Sequence, residues 1–494
     1  MKKLLIIYVA VFAGLVSCKK LEEINVDPNR VTETHPQLQL TQIEWDAFRY
    51  NQGTGSLYAE KILVQTDGES AGQYYKWDRS DFTPYSRMRD VTKMIEEATR
   101  INSNSYIALG KFFRAFYFLN LTLTFGDVPY SQALQGETQE TYTPPAYDAQ
   151  KDIFKGILSE LKEANDLLAN ENTIIAGDII YNGSVAQWRK AINAFRLKVL
   201  MLLSKKEGDG DLNIKAAFAQ IVNSEPLFTG NVDDAQLVFL NQEGNRYPEF
   251  NSSGYGSGMY MDSTFIRRLQ DREDPRLFIY CTQTKNAEDA GLPVNDFNAY
   301  EGGDPAAPYS EVNTKAANGK TSKVNNRYHK DPTTEPMTLM GYAEQQLIIA
   351  EAVVRGWVAG DAEDYYDKGV KASFKFYETY AKGLEQYVTE TIAGIYLAKS
   401  INSLATAATE EAKIEKIVTQ RYLRSFLQSP WEPFFDHLRT GYPSFRRPAG
   451  VNIPFRWIYP QAEYNNNAEN VAAAIKNQFG EGNDKISSKP WWVQ

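Results

Sequence analysis

The chain has 494 residues, of which 43% are hydrophobic and 23% charged, and its formal net charge is −9. This composition is typical of a globular protein that buries a large core. The acidic balance, together with the lack of a long basic run, argues against nucleic acid as a partner. The 30 tyrosines suit a surface that binds through flat rings with polar rims.

The first 17 residues are interpreted as an export signal. Lys2 and Lys3 precede an uncharged apolar run over residues 4–16. The run is shorter than the roughly 20 residues that a membrane-spanning helix needs, and it fits the apolar core of a secretory signal. Cleavage after residue 17 would remove both lysines and change the net charge from −9 to −11.

The end of this signal contains a candidate lipidation site. Leu15-Val16-Ser17-Cys18 resembles the bacterial lipobox, and the resemblance implies that the Cys18 thiol and the new N-terminus carry acyl chains such as palmitate. Two or more acyl chains give stable membrane anchoring. The alternative is an ordinary secretory signal followed by a chance cysteine. With Cys18 lipidated, Cys281 has no partner for an intramolecular disulfide. Residues 18–35 then form a flexible tether, and residues 36–494 are predicted to form one domain.

Helical periodicity dominates this domain. Apolar residues recur at three- and four-residue steps, as expected for helices with one buried face. Ser184 and Asp361 are predicted N-caps. The predicted helices cover 36–50, 86–101, 104–123, 148–169, 184–204, 338–358, 361–381, 409–428, 431–440 and 467–477.

Residues 226–337 break this pattern. Glycine, proline, asparagine, aspartate and tyrosine crowd together there, and only a helix near 262–270 and a few possible strands are predicted. Long loops within a compact domain are usually functional or disordered, and the tyrosines favour an ordered, functional segment. The fold class is therefore mainly α, with a long loop-rich insertion.

Short motifs spread over most of the chain resemble the SusD/RagB family of nutrient-binding lipoproteins, and in particular its SusD-like subgroup. Each motif is weak alone, but together they occur in one order. They are Asp27-Pro28-Asn29, residues 110–117, residues 125–130, residues 181–184 with Trp188, residues 193–197, residues 342–344, residues 350–352, residues 360–362, Arg421-Tyr422, Trp431-Glu432, Asp436 with Leu438-Arg439, residues 441–443, Arg456 and Tyr459-Pro460.

The resemblance implies a SusD-like fold, in which tetratricopeptide-like helix pairs support a loop-rich face. Family members sit on the outer surface of the outer membrane, capping a SusC-type TonB-dependent transporter. They bind a glycan or another small nutrient and perform no chemistry. No cofactor is implied.

Candidate ligand-binding residues combine aromatic faces for sugar rings with polar groups for sugar hydroxyls. One non-helical stretch contains Tyr74, Tyr75, Trp77, Asp78 and Arg79. In the family, an aromatic residue in a place comparable to Trp77 often contributes to binding. If Trp77 binds ligand, Trp77→Ala should weaken binding without changing thermal stability, whereas an equal loss of stability would indicate packing on the helix near 104–123.

The loop-rich segment supplies four further candidates, Tyr255, Tyr260, Tyr300 and Tyr309. Family members draw ligand contacts from this region, although the loops vary. No tryptophan occurs between residues 189 and 356, and this departure from the family's starch-binding pattern puts starch in doubt.

Metal and catalytic sites are not predicted. Residues 209–213 resemble the start of a calcium loop, but Ile214 stands where glycine is required, so a helix–helix turn is expected. Glu344 and Glu351 are two helical turns apart, and we expect them to hold neighbouring helices rather than to form a glycosidase pair. Two other functions stay open, a surface hydrolase and a tetratricopeptide-type scaffold that binds proteins.

Overall fold

The computed structural model describes residues 33–49, 54–136, 143–254 and 259–494. Cys18, most of the tether and Tyr255 lie outside these residues. The described part is mainly helical, as predicted. Its α-helices are α1 Pro36–Arg49, α2 Gly55–Ala59, α3 Thr83–Arg100, α4 Asn104–Phe125, α5 Gln150–Leu168, α6 Val185–Leu202, α7 Ile214–Ser224, α8 Ser263–Asp271, α9 Arg276–Tyr280, α10 Lys285–Asp289, α11 Tyr309–Ala317, α12 Arg327–Lys330, α13 Tyr342–Val354, α14 Ala362–Tyr380, α15 Glu390–Leu397, α16 Glu410–Arg424, α17 Glu432–Thr440, α18 Gln461–Asn466 and α19 Ala468–Phe479.

The described strands form two small antiparallel pairs. Strand β1 (Leu63–Val64) pairs with β3 (Tyr260–Met261), and β2 (Ala235–Leu237) pairs with β4 (Met337–Met340). In the first pair, Val64 faces Tyr260. The first pair attaches the loop-rich segment to the N-terminal part of the chain, and the second pair brings the two ends of that segment together.

Helix α4 is the central element of the N-terminal half. It packs between α3 and α5, and buried residues lie on nearly all of its sides. A Cβ at Gly110 would lie 2.3 Å from Ile95 Cγ1 of α3, so only glycine permits this approach. The helix ends at Gly126, whose φ of +95° favours glycine.

Helices α13 and α14 form the closest pair of the C-terminal half. A Cβ at Gly369 would lie 2.7 Å from Leu347 Cγ, so glycine again allows two helices to approach. Asp361 caps α14 by accepting a hydrogen bond from the Glu363 amide at 3.0 Å. Ser184 accepts from the Gln187 amide in the same way at 3.4 Å, so both predicted caps are confirmed.

Several parts of the helix prediction are wrong. Helices α2, α7, α15 and α18 have no counterpart among the predicted helices. A helix is predicted over 338–358, but the observed helix α13 begins four residues later, at Tyr342. The reason is that Met337–Met340 form strand β4 against β2. The loop-rich segment 226–337 contains α9, α10, α11 and α12 besides α8. These helices have four to nine residues, too few for a periodic apolar face to stand out.

The expected turn at residues 209–213 is confirmed. It joins a 3₁₀ turn at Ser204–Lys206 to α7, and Lys151 pairs with Asp209 and Asp211, each at 2.8 Å. Among the described residues, no group of three or more histidine, cysteine or acidic side chains is arranged to hold a metal ion. Helices both long and apolar enough to cross a membrane are absent from the described ranges.

Candidate ligand-binding face

The predicted residues of the stretch 74–79 divide into buried rings and exposed polar groups. Trp77 is only 8% exposed and stacks on Trp457, with centroids 4.6 Å apart and planes 7° apart. The edges of Trp431 and Phe434 contact it at 5.7 and 5.3 Å between centroids. Its indole Nε1 donates to the Arg456 carbonyl at 3.2 Å. Both the faces and the polar atom of this ring are therefore occupied by the protein.

Tyr74 and Tyr75 are also buried, and each satisfies its hydroxyl internally. The Tyr75 hydroxyl donates to the Ala59 carbonyl at 2.7 Å, and the Tyr74 hydroxyl donates to the Ala307 carbonyl at 2.9 Å. The Lys61 ammonium lies 4.1 Å from the centroid of the Tyr75 ring. Burial raises the pKa of Tyr74 above its ordinary value.

Asp78 and Arg79 lie on the surface next to this aromatic cluster. Arg79 Nη1 donates to the Tyr459 carbonyl at 2.5 Å, and its guanidinium lies 4.9 Å from the Tyr464 ring centroid. A parallel bridge joins Arg79 to Ile458 and fixes the backbone of this stretch. These two polar side chains are accessible, whereas the rings that precede them are not.

Tyr260 and Tyr300 line one cavity of about 590 Å³ in the loop-rich segment. Tyr260 is half-buried, and the Lys323 ammonium lies 4.9 Å from its ring centroid. Tyr300 is buried and donates its hydroxyl to the Val294 carbonyl at 2.7 Å. Burial raises the pKa of Tyr300 as well. Tyr260 is thus the more accessible ring of the pair, while Tyr300 is buried in the cavity wall.

Amide, hydroxyl and ammonium groups surround these two rings, which is the chemistry that sugar hydroxyls require. Sequence reasoning missed all of them, because they come from several loops and carry no periodic or motif signal. They include Thr282, Gln283, Lys285, Lys323, Asn325 and Asn326.

Tyr309 begins α11 and is 39% exposed. It lies beside Tyr74, whose hydroxyl bonds to Ala307. The other end of α11 contributes Ala316 and Ala317 to the Tyr260 cavity, about 12 Å further along at 1.5 Å per residue. The predicted residues therefore form three groups, centred on Trp77, on Tyr74 with Tyr309, and on Tyr260 with Tyr300. Ligand contact by any of them stays a prediction.

Glu344 and Glu351 hold helices together, as expected. Glu344 lies 3.4 Å from the Lys198 ammonium and 3.7 and 3.6 Å from Arg421 and Arg424. Glu351 pairs with Arg439 through both carboxylate oxygens. Both carboxylates are buried and occupied by cations, so neither is available as a general acid or base.

Comparison with known proteins identifies the family. A profile of the SusD-like family, described as starch-binding and associating with the outer membrane, matches residues 28–460. A SusD homologue from Bacteroides fragilis is 52% identical, with a TM-score of 0.89, and the match covers 94% of this chain and all of that one. An outer membrane protein from Bacteroides vulgatus, described in connection with nutrient binding, is 53% identical, with a TM-score of 0.90 over 93% of this chain and all of that one.

A more distant match is a chitin-binding protein, 25% identical, with a TM-score of 0.75 over 93% of this chain and all of that one. No protein with a curated description matches the sequence significantly. The chain belongs to the SusD-like family, whose members are outer-membrane-associated nutrient-binding proteins. The family resemblance inferred from the short motifs is confirmed.

Proposed function

We propose that the protein is a surface-exposed lipoprotein that binds an oligosaccharide or another small nutrient and delivers it to a SusC-type TonB-dependent transporter. The observation that carries the binding part is the cavity in which Tyr260 and Lys323 stand among amide and hydroxyl groups. Family membership supports the location and the partner. Binding without chemistry agrees with the occupied carboxylates of Glu344 and Glu351.

The first test is Tyr260→Ala in the purified mature protein, with binding measured by calorimetry against a panel of neutral and acidic oligosaccharides. Stacking a sugar on this ring would bury about 50 Å² of apolar surface, worth about 1.3 kcal/mol. We therefore expect about a tenfold loss of affinity for any oligosaccharide that the unaltered protein binds.

The matched control is Tyr365→Ala on α14. Tyr365 is also half-buried and also has a lysine near its ring, with Lys368 Nζ 5.7 Å from the centroid, but it lies outside the cavity. Equal affinity losses in the two variants would contradict the assignment of the cavity. Binding of no member of the panel would contradict the saccharide part of the proposal.

Lipid anchoring is tested separately at Cys18. We expect Cys18→Ser to move the protein out of the outer-membrane fraction, because the substitution removes the thiol proposed to carry an acyl chain. Cys281→Ala is the control, since this cysteine is free and buried in the fold, and it should leave the fractionation unchanged. Retention of the Cys18→Ser protein in the membrane would exclude lipid as the main anchor.

A protein-binding scaffold on the outer membrane is the second candidate. Exposed apolar side chains at Val232, Val238 and Leu240, 85%, 61% and 50% exposed, favour contact with some protein. Affinity purification from detergent-solubilised outer membranes distinguishes the two functions. Capture of a TonB-dependent transporter supports delivery, and capture of another protein with no saccharide binding supports the scaffold.

A further inference from the structure

A depression next to α8 is lined by arginines. It has a volume of about 590 Å³, and its walls include Arg268 of α8 and Arg446 and Arg447 of the loop that follows α17. A second depression of about 410 Å³ shares Thr264 and Arg268 with it. The second one adds Arg267, so four arginines surround one continuous surface of an otherwise acidic chain.

Three of these arginines keep an uncompensated charge. Within the described residues, no carboxylate lies within 4.0 Å of Arg267, Arg268 or Arg447. Asp262, just before α8, is buried, and its Oδ1 accepts hydrogen bonds from the Thr264 amide and hydroxyl, each at 2.6 Å. Its other carboxylate oxygen has no hydrogen-bond partner among the described residues. The other acids beside the depressions, Asp304 and Glu301, have cationic partners. Asp304 accepts two hydrogen bonds from Arg446, at 2.7 and 2.6 Å, and Glu301 pairs with Lys315.

Hydrogen bonds to neighbouring residues hold the guanidinium groups of Arg268 and Arg447 in place. Arg447 donates to the carbonyls of Val451 and Phe445, at 2.7 and 3.1 Å. Arg268 donates through Nη2 to the Ser444 carbonyl at 2.5 Å and to its hydroxyl at 3.2 Å. An arginine has five N–H donors, so each of these side chains keeps donors for a ligand, in a planar fork that matches a carboxylate.

The arginine-lined depression lies close to the Tyr260 cavity along the chain and in space. Strand β3 leads from Tyr260 directly into α8, and Asp262 bridges to Gly303 beside the second depression. Ser263, Gln270 and Asn452 add hydroxyl and amide groups to the lining. Tyr300 and Glu301 are adjacent in the chain, and they line the Tyr260 cavity and the second depression respectively.

We propose that this depression, defined by Arg267, Arg268, Arg446 and Arg447, binds carboxylate groups of an acidic oligosaccharide, so that the nutrient contains uronic acid residues. This rests on the proposed function, since it names the class of saccharide that the protein takes. Charge-assisted, bidentate hydrogen bonds from arginine are the strongest and most selective contacts that a carboxylate can receive. Asp304 and Glu301 each have a cationic partner, which reduces their repulsion of a bound carboxylate.

The test compares oligogalacturonate with its carboxyl-reduced form, which has the same length and linkage without the charge. We expect the unaltered protein to bind oligogalacturonate at least tenfold more tightly, with an affinity that falls as salt is raised. Arg268→Gln with Arg447→Gln should remove most of this preference. Equal binding of the two forms would overturn the proposal.

A matched control distinguishes binding at a specific site from a general effect of net charge on affinity. Arg89 and Arg246 are exposed and likewise without a carboxylate partner among the described residues, so Arg89→Gln with Arg246→Gln changes the net charge equally elsewhere. This control should bind oligogalacturonate normally, and a loss equal to that of the Arg268/Arg447 variant would overturn the proposal. If the first variant proves unstable, Arg267→Glu replaces it, because Arg267 is exposed and its side chain makes no hydrogen bond to another described residue; this variant should also weaken binding.

The remaining outcomes are also decisive. Binding of neutral oligosaccharides without oligogalacturonate would overturn this inference and leave the proposed function intact. If vesicles containing phosphatidylglycerol bind through the same arginines and oligogalacturonate does not, the depression is a membrane contact and the saccharide proposal is wrong. Thermal denaturation of every variant shows whether the fold is kept.

Discussion

Trp77→Ala is expected to lower the free energy of unfolding by about 3–5 kcal/mol, the usual cost of removing a large buried aromatic side chain. Trp77 stacks on Trp457 and contacts Trp431 and Phe434, so its loss would leave a cavity among three aromatic rings. It would also leave the Arg456 carbonyl without its indole donor. Urea denaturation monitored by circular dichroism measures the effect.

Tyr309→Ala provides the matched control for this experiment. Tyr309 belongs to the same set of predicted ligand residues but is 39% exposed, so its removal should change stability by no more than about 0.5 kcal/mol. If Trp77 binds ligand, as the sequence suggests, Trp77→Ala should instead weaken ligand binding at unchanged stability. If Trp77→Ala reduces ligand binding without changing the urea midpoint, the stability prediction is wrong and the ring contacts the ligand.

Glu351→Gln is expected to destabilise the protein by about 3–5 kcal/mol, because it leaves a buried arginine without its main counter-charge. Glu351 and Arg439 are both fully buried, and Glu351 also accepts from Arg355 at 2.8 Å. Besides residue 351, Arg439 contacts Asp436, 2.8 Å away, and the Ser204 hydroxyl, 3.2 Å away. The glutamine keeps an acceptor oxygen but loses the negative charge. These contacts join α13 to α17, so the variant weakens the link between two helices of the C-terminal half.

The pH dependence of this effect has a definite sign. Burial would raise the pKa of Glu351, but the charges of Arg439 and Arg355 outweigh burial and hold the pKa at about 2. The ordinary value is 4.5, so the ionised group contributes stability above pH 4.5, and this contribution is lost as the pH falls toward 2. The difference between Glu351→Gln and the unaltered protein should therefore be constant near neutral pH and shrink between about pH 5 and pH 2.

Asp364→Asn on the neighbouring helix is the control. Asp364 and Lys368 form an exposed pair at 2.6 Å, and such pairs contribute about 1 kcal/mol or less. A loss for Glu351→Gln no larger than that for Asp364→Asn would show that the buried network contributes little to stability.

Most long helices could be predicted from the sequence, since each repeats its apolar residues over several turns. Helix α4 was predicted at 104–123 and observed at Asn104–Phe125, because its apolar face and the Gly126 stop are both local signals. Strand β4 was misassigned to the start of a helix. Its apolar residues suit either structure, and its pairing with β2, about 100 residues earlier in the chain, decides which one forms.

The candidate site was predicted only in part. Tyr260 was predicted from its place in the tyrosine-rich loops, and it does line a cavity. Lys323 and Gln283, which line the same cavity, were not predicted, because nothing in their local sequence distinguishes them from other polar loop residues. The four arginines near α8 were not predicted to form a group, because Arg267-Arg268 and Arg446-Arg447 are almost 180 residues apart in the sequence.

The sequence by itself therefore determined the helical class, the family and the loop-rich segment from which the cavity is built. These properties follow from residue type and spacing within a few helical turns. Only the tertiary structure decided which aromatic rings remain accessible. Trp77 and Tyr260 both lie outside the helices, yet Trp77 is covered by rings more than 350 residues further along the chain. The burial of a side chain depends on what folds over it, and such distant contacts leave no trace in its local sequence.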